Sequence, residues 1–148
     1  MLESERAHDA FEEYKRIDHL IHVTLKYTRT VDILRSVLLR IVSTIELMSE
    51  EVMVWAVKKK KIDRMPSVPL LCVQKLDVVF PDDETVKDIV DFYIKVKNIT
   101  KSEFKKKEEF RKNVALVTKN CEINIEVLKD YSEKTKRYIN YLKNLIPE

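Results

Sequence analysis

The sequence predicts an all-α protein, an up-down four-helix bundle with a long proline-containing connection between its second and third helices. Three observations predict it. None of the 148 residues is glycine, although 45% are hydrophobic and 36% charged. Apolar residues recur in steps of three and four along several long segments. Three of the four prolines, Pro66, Pro69 and Pro81, fall in one stretch. The absence of glycine also excludes function classes. The P-loop, the dinucleotide G-x-G-x-x-G, the G-x-S-x-G nucleophile elbow, the EF-hand loop and the GXXG nucleic-acid clamp all need backbone that glycine tolerates best. Type I′ and II′ hairpins are disfavoured for the same reason.

The first helix spans about residues 4–27. Ser4 is its cap, Glu5 lies in its first turn, and Ala7, Ala10, Phe11, Tyr14, Ile17, Ile21 and Leu25 form its apolar stripe. Thr30 caps a second helix that runs to about Lys60 along Leu34, Leu38, Ile41, Ile45, Met48, Val52 and Trp55. Further apolar residues, Val37, Leu39, Val42, Leu47 and Val54, flank that stripe. A helix this greasy is either central in the fold or meets a second chain. Charges such as Arg35, Arg40 and Glu46 keep its apolar runs too short to cross a bilayer, and no membrane is expected among its partners.

Residues 62–82 form the irregular connection, with a short helix expected to start at Pro69. Asp82 or Asp83 caps the third long helix, along Val86, Ile89, Val90, Tyr93 and Val96. Asn98-Ile99-Thr100 reads as a kink, and Thr100-Lys101-Ser102-Glu103 as a capping box that restarts the helix. From Phe110, the stripe Val114, Val117, Cys121, Ile125, Leu128, Tyr131 continues to Leu145. One helix of some forty residues would overhang a protein of this size, so a break is expected near Thr118-Lys119-Asn120. The length fits one domain over residues 1–148.

The net charge of +3 is too small to imply nucleic-acid binding by itself. Its distribution is uneven: residues 1–57 carry seven basic and ten acidic side chains, and residues 58–148 carry 21 and 15. Lys58-Lys59-Lys60-Lys61 reads as a solvated helix end whose cations offset the dipole, or as an anion-binding patch. Between Lys95 and Lys112, eight cations face three anions, with Phe104 and Phe110 interleaved. That segment is either a solvated helix with its phenylalanines in the core, or a phosphate-binding surface on Lys105, Lys106, Lys107, Arg111, Lys112 and Asn113.

No catalytic, metal or cofactor site is expected. His8, His19 and His22 all lie on the first helix. Glu5-x-x-His8 has the spacing of a di-iron ligand pair, but the second such motif is missing. Cys72 and Cys121 sit among apolar residues and read as buried thiols in a reducing compartment. With a polar, acidic N-terminal stretch, they predict a cytoplasmic location. The Lys- and Glu-rich usage, with Gln74 as the single glutamine, resembles that of thermophile proteins.

The greasy second helix, the proline-containing connection, Ile89-Val90-Asp91-Phe92-Tyr93-Ile94-Lys95-Val96-Lys97 and Phe110-Arg111-Lys112-Asn113-Val114, followed by a last amphipathic helix, together resemble a HEPN domain, the higher-eukaryote and prokaryote nucleotide-binding helical bundle. The resemblance implies an up-down bundle, often dimeric, that works near RNA or beside a nucleotidyltransferase or toxin–antitoxin partner. Active members carry Arg-x4–6-His near the start of the last helix for metal-independent RNA cleavage. Arg111 and Asn113 resemble the first half of that motif, but Ala115, Leu116 and Val117 fill the histidine positions. Without an imidazole there is no evident general acid or base, so the resemblance implies a catalytically degenerate member. Arg16…His22 has the same spacing but falls on different faces of the first helix.

The expectation is therefore a non-catalytic binding module acting through RNA or protein contacts. The alternative is a structural homo-oligomerisation or adaptor protein, most simply a homodimer through Leu39, Leu47, Val54 and Trp55 on the second helix. A ribonuclease with a non-standard constellation, or a metalloenzyme, ranks behind both.

Overall fold

Helix α3 (Val31–Lys58) carries apolar residues on most of its faces, and the rest of the chain packs around it. The computed structural model describes residues 2–147, with side chains from Ala7 onward. Helix α1 (Leu2–His19) passes through a π-helical turn (Leu20–Thr24) into α2 (Leu25–Tyr27), so residues 2–27 form one rod. Ala10, Ile17, Ile21 and Leu25 bury its apolar side. The expected cap at Ser4 and first turn at Glu5 involve side chains outside the described residues. Thr30 caps α3 as the sequence predicts, its side chain accepting from the Ile33 N–H at 3.4 Å.

Helix α3 buries Leu34, Leu38, Ile41, Ile45, Met48 and Val52, and also Val37, Val42, Met53 and Ala56 off that stripe. Its neighbours are α1, the short helices α4 (Pro69–Gln74) and α5 (Leu76–Val79), α6 (Glu84–Lys101), and α7 (Ile125–Leu145). Cross-contacts give their directions. Glu13 of α1 accepts from Arg40 of α3 at 2.9 Å, and from Arg16 at 2.8 Å. Arg35 of α3 donates to the Thr100 carbonyl at the end of α6. Tyr93 and Lys97 of α6 both reach Glu46, at 2.5 and 3.1 Å. Helices α1 and α6 thus run antiparallel to α3. Helix α7 ends where α3 ends, because the Trp55 indole donates to the Pro147 carbonyl at 3.2 Å.

Pro69 opens α4 in its first turn, as expected of a residue with no N–H to lose. Asp83 is the α6 cap, its carboxylate accepting from the Val86 N–H at 3.0 Å. Trp55 closes the connection 59–80 on itself: its ring stacks on Phe80 at 5.8 Å and lies 5.8 Å from the Lys61 ammonium.

The expected all-α class is corrected to a mostly helical fold with a small antiparallel sheet. Helix α6 does not restart after Lys101. The Thr100 hydroxyl, expected to cap the restart, turns back instead to the Lys97 carbonyl, and the Ser102 hydroxyl likewise donates to that of Asn98. Arg35 takes the Thr100 carbonyl as well. Beyond it lie β1 (Lys105–Lys107), β2 (Ala115–Val117) and β3 (Glu122–Asn124), in the order β1-β2-β3. Lys106 pairs with Leu116, and Leu116 with Ile123. The three-and-four spacing of Val114, Val117, Cys121 and Ile125 is therefore not a helix face. Val114, Ala115 and Leu116 are buried in succession, as in a central strand covered on both sides, and β2 lies against α3. The break expected at Thr118-Lys119-Asn120 exists, but it joins two strands, with the Thr118 hydroxyl accepting from the N–H groups of Asn120 and Cys121.

Among the described residues, four adopt positive φ without being glycine: Lys60, Asp82, Glu108 and Phe110. At Lys60 the cause is a Schellman ending of α3. The Lys60 N–H bonds to the Val57 carbonyl, and the Lys61 N–H to that of Ala56. A side chain there costs about 1–2 kcal/mol in the left-handed region. Lys60→Gly is expected to raise stability by about 0.5–1 kcal/mol, after allowing for the looser unfolded chain. Urea denaturation measures it through a higher midpoint at unchanged slope.

Burial pushes the Asp83 carboxyl up, but bonds from the Tyr141 hydroxyl at 2.7 Å and from the N–H groups of Val86 and Thr85 bring it below its ordinary value of 3.8. A group lowered in this way stabilises the fold above its unfolded value, and the contribution fades as pH falls through its folded one. Tyr141→Phe removes one of those donors. The stability difference between Tyr141→Phe and the parent is expected to be full at neutral pH and to shrink below about pH 4, measured by thermal denaturation across that range.

Candidate functional site

The loop joining β1 to β2 is built onto the N-terminus of α3. Glu109 places a carboxylate oxygen 2.8 Å from the Val31 N–H, offsetting the positive end of the helix. The Phe110 N–H donates to the Arg29 carbonyl at 2.7 Å, and Lys106 lies 3.8 Å from Asp32. The loop folds over itself through the Arg111 N–H to the Glu108 carbonyl and the Val114 N–H to that of Arg111. Two of the four positive-φ residues, Glu108 and Phe110, are here. A bulky aromatic residue in that region is strained, and persists because the surrounding contacts over-determine it. The result is a phenylalanine ring 74% exposed at the loop tip. Tyr27, 85% exposed, stands two residues before Arg29, so the two most exposed large apolar side chains among the described residues flank one backbone junction.

Beside the loop is a cleft of about 630 Å³, lined by Arg29, Lys107, Lys112, Asn113, Glu122, Asn124 and Lys129 among others. Two of its cations are balanced, Lys107 by Glu122 at 3.2 Å and Lys129 by Glu126 at 3.5 Å. The Arg29 Nε is buried and meets no hydrogen-bond partner among the described residues. Lys112 and Arg111 are exposed and make no ion pair among the described residues. Asn124 caps α7 at this edge, accepting from the Val127 N–H at 2.8 Å. This cleft can attract an anion; the described groups give it no nucleophile–base pair.

The predicted residues divide accordingly. Lys105, Lys106 and Lys107 lie on β1, all exposed, and Arg111, Lys112 and Asn113 in the following loop, so the expected basic helix is a strand and a turn. Lys107, Lys112 and Asn113 meet at the cleft, while Lys105 lines a separate hollow with Phe104 and Lys119. Phe110, placed in the core by its spacing, is instead at the surface. Lys95 and Lys97, counted in the same charge run, lie over the Tyr131 and Tyr93 rings. Arg29, Lys129 and Tyr27 were not singled out in the sequence. Only the basic or aromatic character of each was visible there, because the meeting of Arg29 and Lys129 with residues 107–113 is a long-range event.

Of the candidate interface residues, Leu39 is 42% exposed, Leu47 and Val54 are half-buried, and Trp55 is engaged by Phe80, Lys61 and Pro147. The excess apolar surface of α3 is largely accounted for by its central position. The three histidines are exposed, with His22 3.5 Å from Asp18. Glu5 has its side chain outside the described residues, and among those described no three His, Cys, Asp or Glu side chains gather as metal ligands do. Cys72 is buried and Cys121 is half-buried in the β2–β3 turn. No helix among the described residues is long and apolar enough to cross a membrane.

Comparison of the chain with protein-family models, with curated proteins and with solved structures returns no match. The segments that carry the HEPN resemblance lie on α6 (Ile89–Lys97) and in the β1–β2 loop (Phe110–Val114), and the last helix begins only at Ile125.

Glu109→Ala is expected to lower stability by about 1 kcal/mol through loss of the charged cap on α3. It also frees the loop, so amide exchange at Phe110 and Val31 should accelerate more than exchange at Ile41 in the helix centre.

Proposed function

We propose that this protein is a non-catalytic RNA-binding module that takes the strand at the end of the molecule formed by the β1–β2 loop. The observation that carries this reading is Phe110, held exposed and strained in the same loop as Arg111 and Lys112, which make no ion pair among the described residues, with Lys112 and Arg29 lining one cleft. An exposed ring stacks on a base irrespective of sequence, and cations that have no carboxylate partner lose little on meeting phosphate. Two features support a role without catalysis: no histidine lines the cleft, and the titratable groups that do are Lys, Arg and Glu. The HEPN resemblance is part of the same proposal. It draws support from four long helical segments that alternate in direction, and its missing histidine agrees with a binding role.

Fluorescence anisotropy of a labelled single-stranded RNA, titrated at low and at physiological salt, tests this. Wild-type affinity is expected to fall steeply with salt. Arg111→Ala combined with Lys112→Ala should weaken binding at least tenfold and reduce the slope of log affinity against log salt by about 1.4. Phe110→Ala should weaken binding by about 1–3 kcal/mol with little change in that slope. Absence of binding at low salt overturns the reading.

A further inference from the structure

Four of the nine large apolar side chains exposed among the described residues lie within fourteen positions: Met65, Val68, Leu71 and Val78, the last 61% exposed. They belong to the connection that Trp55 closes through Phe80 and Lys61, so both ends of the segment meet at one place. Its remaining exposed side chains are mostly cationic: Lys59, Lys60, Lys61, Arg64 and Lys75 against Asp63. None of these cations has a carboxylate partner among the described residues. Helix α3 is 28 residues long, which separates this surface by about 40 Å from the β1–β2 loop at its other end.

We infer that residues 59–78 dock on the surface of an anionic lipid bilayer, with Met65, Val68, Leu71 and Val78 entering the interface and the cations meeting the headgroups. Charge selects an anionic occupant and disfavours a second copy of this chain, whose identical patch would repel it. Shape and chemistry then select among anionic occupants. A partner helix requires a groove, whereas these side chains project from a loop and two helices of six and four residues. A nucleic acid favours aromatic rings for stacking, and the four exposed side chains are aliphatic or thioether. Exposed apolar side chains in a segment that also carries exposed, unpaired cations are what a bilayer interface binds, with both signals needed for stable attachment. The contact is with the membrane surface and is separate from the RNA reading.

Co-sedimentation with vesicles of phosphatidylserine and phosphatidylcholine, against pure phosphatidylcholine, tests the inference. Binding is expected to the anionic vesicles alone. Lys59→Gln, Lys60→Gln and Lys61→Gln together should weaken it roughly a hundredfold, and Leu71→Asp with Val78→Asp at least tenfold. Far-UV circular dichroism checks that these variants keep their helices. Arg111→Ala with Lys112→Ala should leave vesicle binding unchanged. Trp55 is the chain's one tryptophan and sits at the closure, so in the unaltered protein its emission should respond to anionic vesicles and not to neutral ones. No binding to anionic vesicles, an unresponsive Trp55, or binding indifferent to Leu71→Asp with Val78→Asp overturns the inference. So does loss of RNA binding without loss of vesicle binding in the lysine variant, which would make this loop a second nucleic-acid surface.

Discussion

Burial of α3 is the constraint on which the rest of the structure depends. A helix with Leu34, Ile41 and Met48 on one side and Val37, Val42 and Met53 on others has no face that water tolerates well. Each long helix packs on it, and so do the two short helices and the central strand. All but one of the buried apolar residues described, Ala115 being outside it, form one continuous cluster as a result. Polar groups drawn into that packing are answered locally: Glu13 by Arg16 and Arg40, and Glu46 by Tyr93 and Lys97. Burial and the bond to Glu46 push the Tyr93 phenol far above its ordinary value, so it stays neutral in this set, donating to Glu46 and accepting from Lys97 at 3.2 Å. The Ser49 hydroxyl is not answered: it is fully buried with no hydrogen-bond partner among the described residues, as are the Arg29 Nε and the Asp77 Oδ1 atoms.

Both ends of α3 are finished by chain segments that return from elsewhere, and both candidate surfaces arise there. At the N-terminus the β1–β2 loop delivers Glu109 to the first turn, and doing so turns Phe110 outward. At the C-terminus Trp55 gathers Lys61 and Phe80, and closing that connection leaves its apolar and basic side chains on the outside. In each case the exposed chemistry is a consequence of how a helix end is satisfied. A chain without glycine makes these turns with Lys60, Asp82, Glu108 and Phe110, accepting backbone strain where glycine would have none.

The first rod, α3, the α6 stripe and the last helix were legible because each is long, amphipathic and marked at its start by Thr30, Asp83 or a periodic run. But α6 runs as one helix to Lys101 through the kink expected at Asn98-Ile99-Thr100, and the last helix starts only at Ile125. The short helix at Pro69 was legible from the fixed φ of proline. Residues 102–124 were not. Val114, Val117, Cys121 and Ile125 satisfy a helical period by coincidence, and three-residue strands are too short to show alternation of their own. The basic residues of the candidate site were visible as a charge run, but their arrangement was misread as a helix face. The cations that complete the cleft come from 80 residues away, in the case of Arg29, and from the next helix, in the case of Lys129.

The sequence by itself determined the helical character, the absence of glycine-dependent chemistry, the core stripe of each long helix and the surplus of cations in the C-terminal part. These follow from local periodicity, capping and composition, which need no partner to be read. Tertiary structure alone decided that β1, β2 and β3 pair with β2 against α3, that Phe110 faces water, that Trp55 is spent on closing a loop, and that Arg29 and Lys112 line one cleft. Each of those depends on contacts between residues distant in the chain, where the burial of one element and the satisfaction of another's end outweigh local preference.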